Sequence, residues 1–112
     1  MVGLFVYNPP LILEAVEAAG KTGEIKIIGF DEHDDTLQGV IDGSIYGTIV
    51  QDPYRYGYES VRVLAALARG DQSVIPESGV LDIPVRKIVK GNADEFWAEL
   101  KERLKDKEPA TP

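Results

Sequence analysis

Two stretches decide how this chain folds: Ile25-Lys26-Ile27-Ile28-Gly29-Phe30-Asp31 and Tyr46-Gly47-Thr48-Ile49-Val50-Gln51-Asp52-Pro53. Each is a short, nearly unbroken apolar run rich in β-branched residues, the composition a strand needs when both its faces are covered. Each also ends on a polar side chain and passes into a helix start. After Asp31 comes a polar loop of Glu32, His33, Asp34 and Asp35. Leu37, Val40 and Ile41 then share one face of a short helix from about Asp35 to Asp42, which Gly43 stops. After Gln51, Asp52 and Pro53 provide the cap and first residue of a longer helix. Its apolar stripe is Val61, Leu64, Ala65 and Ala68, and Gly70 closes it.

The same plan extends in both directions. Upstream, Val2 to Tyr7 reads as a first strand ending at Asn8. Asn8 caps a helix over Pro9 to Ala19, whose Leu11, Ile12, Ala15, Val16 and Ala19 fall at helical spacing before Gly20. Downstream, Asp71 to Gly79 is polar and turn-forming. Val80 to Ile83 and Val85 to Val89, either side of Pro84, read as crossing or edge strands. Asn92 and Glu95 have the spacing of a capping box. Phe96, Trp97, Leu100 and Leu104 then predict a last helix fading near Lys105, with Glu108 to Pro112 as a loose tail.

Strand and helix alternating in this order imply right-handed crossovers and an α/β fold: a three-layer parallel sheet with helices on both faces. In such a sheet the residues that end the strands gather along one rim. Asn8, Asp31 and Gln51 are therefore expected to share it. Two amides and a carboxylate can form paired hydrogen bonds to neighbouring hydroxyls, an inventory suited to a small polar ligand such as a sugar. Taken singly, each could instead serve as a helix cap. Gln51 fits that reading least, because Gln caps poorly and Asp52 already fills the role.

Composition narrows the classes. The 112 residues, 44% apolar and 28% charged, make one small domain. The net charge of −7 has the wrong sign for gripping a phosphate backbone, so nucleic acid is not an expected partner. Without Cys there is no disulfide, thiolate ligand or cysteine nucleophile. The apolar runs fall far short of the roughly 20 residues of a membrane span. Met1 to Phe5 lacks a basic n-region and a cleavage site, so no secretory signal is expected there.

Enzyme chemistry finds little support. Ser44, Ser60, Ser73 and Ser78 lack a G-x-S-x-G elbow, and one base, His33, would have to activate any of them. No Gly-rich phosphate cradle occurs, and no cofactor is expected. Asp31, Glu32, His33, Asp34 and Asp35 could in principle hold a metal, but read as a solvated acidic loop at a helix start. Tyr54 and Tyr58 share a helix face and are expected to pack, and Phe96 with Trp97 reads as core or interface.

The succession IKIIGFD, then DGSIYGTIVQDPYRYGYESV, resembles the C-terminal lobe of the ribose-binding group of periplasmic sugar-binding proteins of ABC transporters. The likeness runs from Leu4 to about Gly70 and continues more loosely through IPVRKIVKGNADEF. It implies that residues 1–107 are a partial C-terminal lobe, that the chain binds a sugar without catalysis, and that the intact receptor is periplasmic and serves an ABC permease. In the family, an Asn after the strand resembling VGLFVYN, the Asp of GFD and the Gln of TIVQ hydrogen-bond sugar hydroxyls. These positions fall on Asn8, Asp31 and Gln51. Pro9-Pro10 stands where the family usually has an acidic residue, which leaves the sugar preference open. The effector-binding core of LacI-type regulators shares the fold, and TIVQDPYRYGYESV favours the transport receptor.

A partial lobe would leave Val2 to Tyr7 as an apolar edge strand unbroken by Pro or Lys, and a homodimer through that edge is expected. With one wall of the usual two-lobed cleft, sugar affinity should be weak. The alternative is a self-associating flavodoxin-like module whose rim residues are caps.

Overall fold

The computed structural model describes residues 1–105, and the tail expected over Glu108–Pro112 lies outside them. The elements in chain order are α1 (Asn8–Ala18), β1 (Ile28–Phe30), α2 (Asp34–Asp42), β2 (Gly47–Val50), α3 (Pro53–Ala68), β3 (Arg86–Val89) and α4 (Ala93–Lys105). The chain divides into two compact units. One combines Met1–Val50 with the chain from Arg86; the other is Gln51–Val85. None of the described helices is long and apolar enough to cross a membrane.

The α/β reading holds for the first unit. Its sheet has the order β1-β2-β3, with β1 parallel to β2 in the register Ile28↔Gly47 and Phe30↔Ile49. The sheet is mixed rather than wholly parallel, because β3 runs antiparallel to β2, Thr48 facing Ile88. That is the edge strand expected around Val85 to Val89. Val80 to Ile83, in contrast, forms no strand.

Alternation along the strands sets the core. Ile27, Gly29, Thr48, Val50 and Ile88 are buried on one face, whereas Ile28 and Lys87 on the other are exposed. Onto the buried face pack Val16 of α1, Leu37 and Val40 of α2, and Ala93 and Phe96 of α4, with Ile45 from the loop before β2. Val16, Leu37, Val40 and Phe96 belong to the apolar stripes that helical spacing predicted, whereas Leu11, Ala15 and Ala19 of the α1 stripe and Leu104 of the α4 stripe are exposed.

The first expected strand is corrected. Val2 makes a single parallel bridge to Ile28, with the Ile28 N–H donating to the Met1 carbonyl and the Gly3 N–H to the Ile28 carbonyl. Beyond it the chain turns. The Asn8 N–H donates to the Phe5 carbonyl at 2.8 Å, and the Asn8 side-chain Oδ1 accepts the Phe5 N–H at 3.0 Å. Two reciprocal bonds across three residues stop the extended run that β-branched and aromatic composition favours. Leu4, Phe5 and Tyr7 are left exposed, the two rings stacked 5.8 Å apart.

Two caps differ from expectation for the same reason: their side chains bond backward. Asn8 sits inside α1, whose cap position is Tyr7. Asn92 accepts the Val89 N–H and donates to the Lys87 carbonyl, closing the β3–α4 turn instead of forming a capping box with Glu95. Asp52 caps α3 as expected, its Oδ1 accepting the Arg55 N–H.

The second unit is α3 and the segment that follows it. Tyr56, Val63 and Leu64 line one groove with Leu81 and Ile83. The expected packing of Tyr54, Tyr58, Val61 and Leu64 is corrected, since all four are more than half exposed.

Candidate functional site

The site is built from strand ends. Val2, β1 and β2 run in a common direction, so the residues that follow them leave the sheet at the same end. Asp31 follows β1 directly and is partly buried; Gln51 follows β2, opens the second unit and is exposed. Asn8 begins α1 after the turn that ends the Val2 segment.

Asn8 and Asp31 are held around one stretch of β1. Pro9 is buried, and a Cβ placed on Gly29 would stand 2.7 Å from its Cγ, so the α1 start is seated on the bare backbone of Gly29. Asp31 departs two residues later. Its N–H donates to the Ile49 carbonyl at 2.8 Å, and its own carbonyl accepts the Thr48 hydroxyl at 2.8 Å. It is the one non-glycine among the described residues with a left-handed backbone, at φ 67°.

The chemistry of the three groups is hydrogen bonding. Because the Asn8 Oδ1 accepts the Phe5 N–H, its Nδ2 group is the part left to donate to other partners. Asp31 brings an acceptor. Next to it, burial raises the Glu32 carboxyl above its ordinary 4.5; a hydrogen bond with its own backbone opposes this, and the charge of Asp31 adds to it.

The acidic loop sits at a helix start, as its sequence implies, and His33 has a use there that the sequence reading missed. His33 Nδ1 accepts the Asp35 N–H at 3.2 Å and is the N-cap of α2, while Asp34 and Asp35 occupy that helix's positive end. Asp34 also accepts the Trp97 indole N–H at 3.1 Å. No group of three or more metal-ligating side chains forms among the described residues. One depression runs along α3, lined by Tyr54, Tyr58, Val61 and Arg69, and includes none of Asn8, Asp31 or Gln51.

Comparison with known proteins agrees with this architecture. The family model described as "Periplasmic binding protein domain" matches residues 5–72, more than half of the chain. The chain belongs to that family. Among solved structures it is similar to GanP, a glucose-galactose binding protein from Geobacillus stearothermophilus, with 27% identity and a TM-score of 0.71. That match covers 81% of this chain and 31% of the other. It is also similar to an ABC transporter solute binding protein from Agrobacterium vitis with bound D-fucose, with 28% identity, a TM-score of 0.69, and coverage of 88% and 32%. A third is a carbohydrate transporter solute binding protein from Agrobacterium radiobacter in complex with D-arabinose, with 26% identity, a TM-score of 0.65, and coverage of 88% and 32%. The chain thus spans about a third of the length of these proteins. No curated protein sequence matches it.

Proposed function

We propose that this chain supplies part of one wall of a sugar-binding cleft, without catalysis, as the C-terminal part of a periplasmic receptor for an ABC permease. Asn8, Asp31 and Gln51 are the contact residues: Asn8 donates through Nδ2, Asp31 accepts, and Gln51 does either. The observation that carries the reading is the common direction of β1 and β2, followed directly by Asp31 and Gln51, with Asn8 at the start of α1 beyond the Val2 bridge, in a chain of this family.

The solved relatives named above carry sugars or sugar-binding descriptions, which supports a monosaccharide rather than another solute. One wall gives little enclosure, so affinity is weak. Titration of the labelled chain with D-galactose, D-glucose, D-fucose and D-arabinose by NMR is expected to move the Asn8, Asp31 and Gln51 signals. Asp31→Ala and Asn8→Ala should each abolish the response. Signals that stay fixed at saturating sugar would sink the reading.

A second copy of the chain is the proposed partner at the Val2–Tyr7 edge. No charged side chain occurs before Glu14, so two copies of net charge −7 can approach there with least repulsion. Val2, Leu4, Phe5 and Tyr7 are all exposed. Light scattering coupled to size-exclusion should return a dimer whose dissociation Leu4→Lys promotes. A monomer at all concentrations would remove this partner.

A further inference from the structure

We infer that Thr48 is a positioning residue for Asp31, an assignment that rests on the reading of Asp31 as a sugar contact. A left-handed backbone is disfavoured for any residue with a Cβ, and it persists where surrounding bonds over-determine it. At Asp31 two bonds do so, one on each side of the residue: its N–H to Ile49 and its carbonyl from Thr48. The first belongs to the strand ladder and would form at any β1–β2 end. The second exists because a β2 side chain facing the core carries a hydroxyl where a strand would ordinarily place Val.

Thr48 is 1% exposed, so water does not readily replace the Asp31 carbonyl as the partner of its hydroxyl. Its path is kept open by Gly29, its register partner, where a Cβ would stand 3.2 Å from the Thr48 Oγ1. The same bare position seats Pro9. One glycine and one buried hydroxyl therefore bear on how Asp31 leaves the sheet. Thr36 offers an internal control. It is equally buried, but its hydroxyl has no hydrogen-bond partner among the described residues, so it holds nothing in place.

The test uses the isotopically labelled chain and Thr48→Val, Thr48→Ser and Thr36→Val. Two quantities are read: the HN–Hα coupling and carbon shifts of Asp31, which report φ, and the affinity for D-galactose by titration. Thr48→Val should move Asp31 away from left-handed values and weaken D-galactose binding roughly three- to ten-fold, the value of one hydrogen bond. Thr48→Ser should restore both, and Thr36→Val should move neither. An unmoved Asp31 backbone in Thr48→Val, or a moved backbone with unchanged affinity, overturns the assignment. If the unmutated chain binds none of the four sugars, the sugar reading falls, and Asp31's coupling alone decides whether Thr48 holds it. Should Thr48→Val fail to fold, the unmutated chain suffices: a slowly exchanging Thr48 hydroxyl proton is expected, and exchange at the rate of an exposed hydroxyl overturns the proposal.

Discussion

The helices α2 and α3 are comparably amphipathic, but the fold treats their apolar stripes in opposite ways. In α2, Leu37 and Val40 are fully buried against Ile45 and Ile88. In α3, Val61 and Leu64 are about two-thirds exposed, as is Tyr54. Helical periodicity states which side of a helix is apolar, and says nothing about what will cover it. The sheet unit has three helices on one buried face, so Val16, Leu37, Val40 and Phe96 find partners within the described chain. The α3 unit has one helix and the Leu81–Ile83 segment, too little apolar surface to close around it.

The contrast can be broken most directly by truncation on the two helices. Leu37→Ala should destabilise the chain by about 2–5 kcal/mol in urea unfolding, through lost burial and the cavity left behind. Val61→Ala should fall within about 0.5 kcal/mol of the parent. Equal losses would mean that the α3 stripe is covered in solution, by a second copy or otherwise.

Glycine-to-alanine changes should separate the units by sign. Gly29→Ala forces a Cβ against the Pro9 ring and should cost about 1–3 kcal/mol. Gly57 lies inside α3 with nothing within 4 Å of its would-be Cβ, so Gly57→Ala should stabilise that helix by about 0.5–1 kcal/mol. Amide exchange checks both: slower for α3 amides in Gly57→Ala, faster for α1 and β1 in Gly29→Ala.

The smallest effect concerns the β1 end. Burial raises the Glu32 carboxyl, so the folded state favours its neutral form. That contribution to stability is complete below the ordinary 4.5 and is lost as pH rises through the raised value. Glu32→Gln should flatten this fall in a series of unfolding curves across the acid range. A parallel pH profile in the variant would show that Glu32 is solvated.

Much of the site region was legible because strand composition and helix stops are local. The runs ending at Asp31 and Val50, and the caps at Asp52 and Gly43, need neighbours in sequence alone. The failures were of two kinds. Asn8 and Asn92 each had a choice between capping forward and bonding backward, and the sequence does not say which. His33 read as part of a solvated acidic loop, although its Nδ1 accepts the Asp35 N–H as the cap of α2.

Patterning by itself determined the α/β class, the four helices, the two parallel strands, and Asp31 and Gln51 as the polar residues that follow those strands, since periodicity and turn chemistry act over a few residues. Tertiary structure decided the rest. It reversed β3, cut the first strand to a bridge at Val2, and set Asp31 in a left-handed turn held by a β2 hydroxyl. Each of these depends on a partner distant along the chain, whose hydrogen bond or packing volume exists once the backbone has folded.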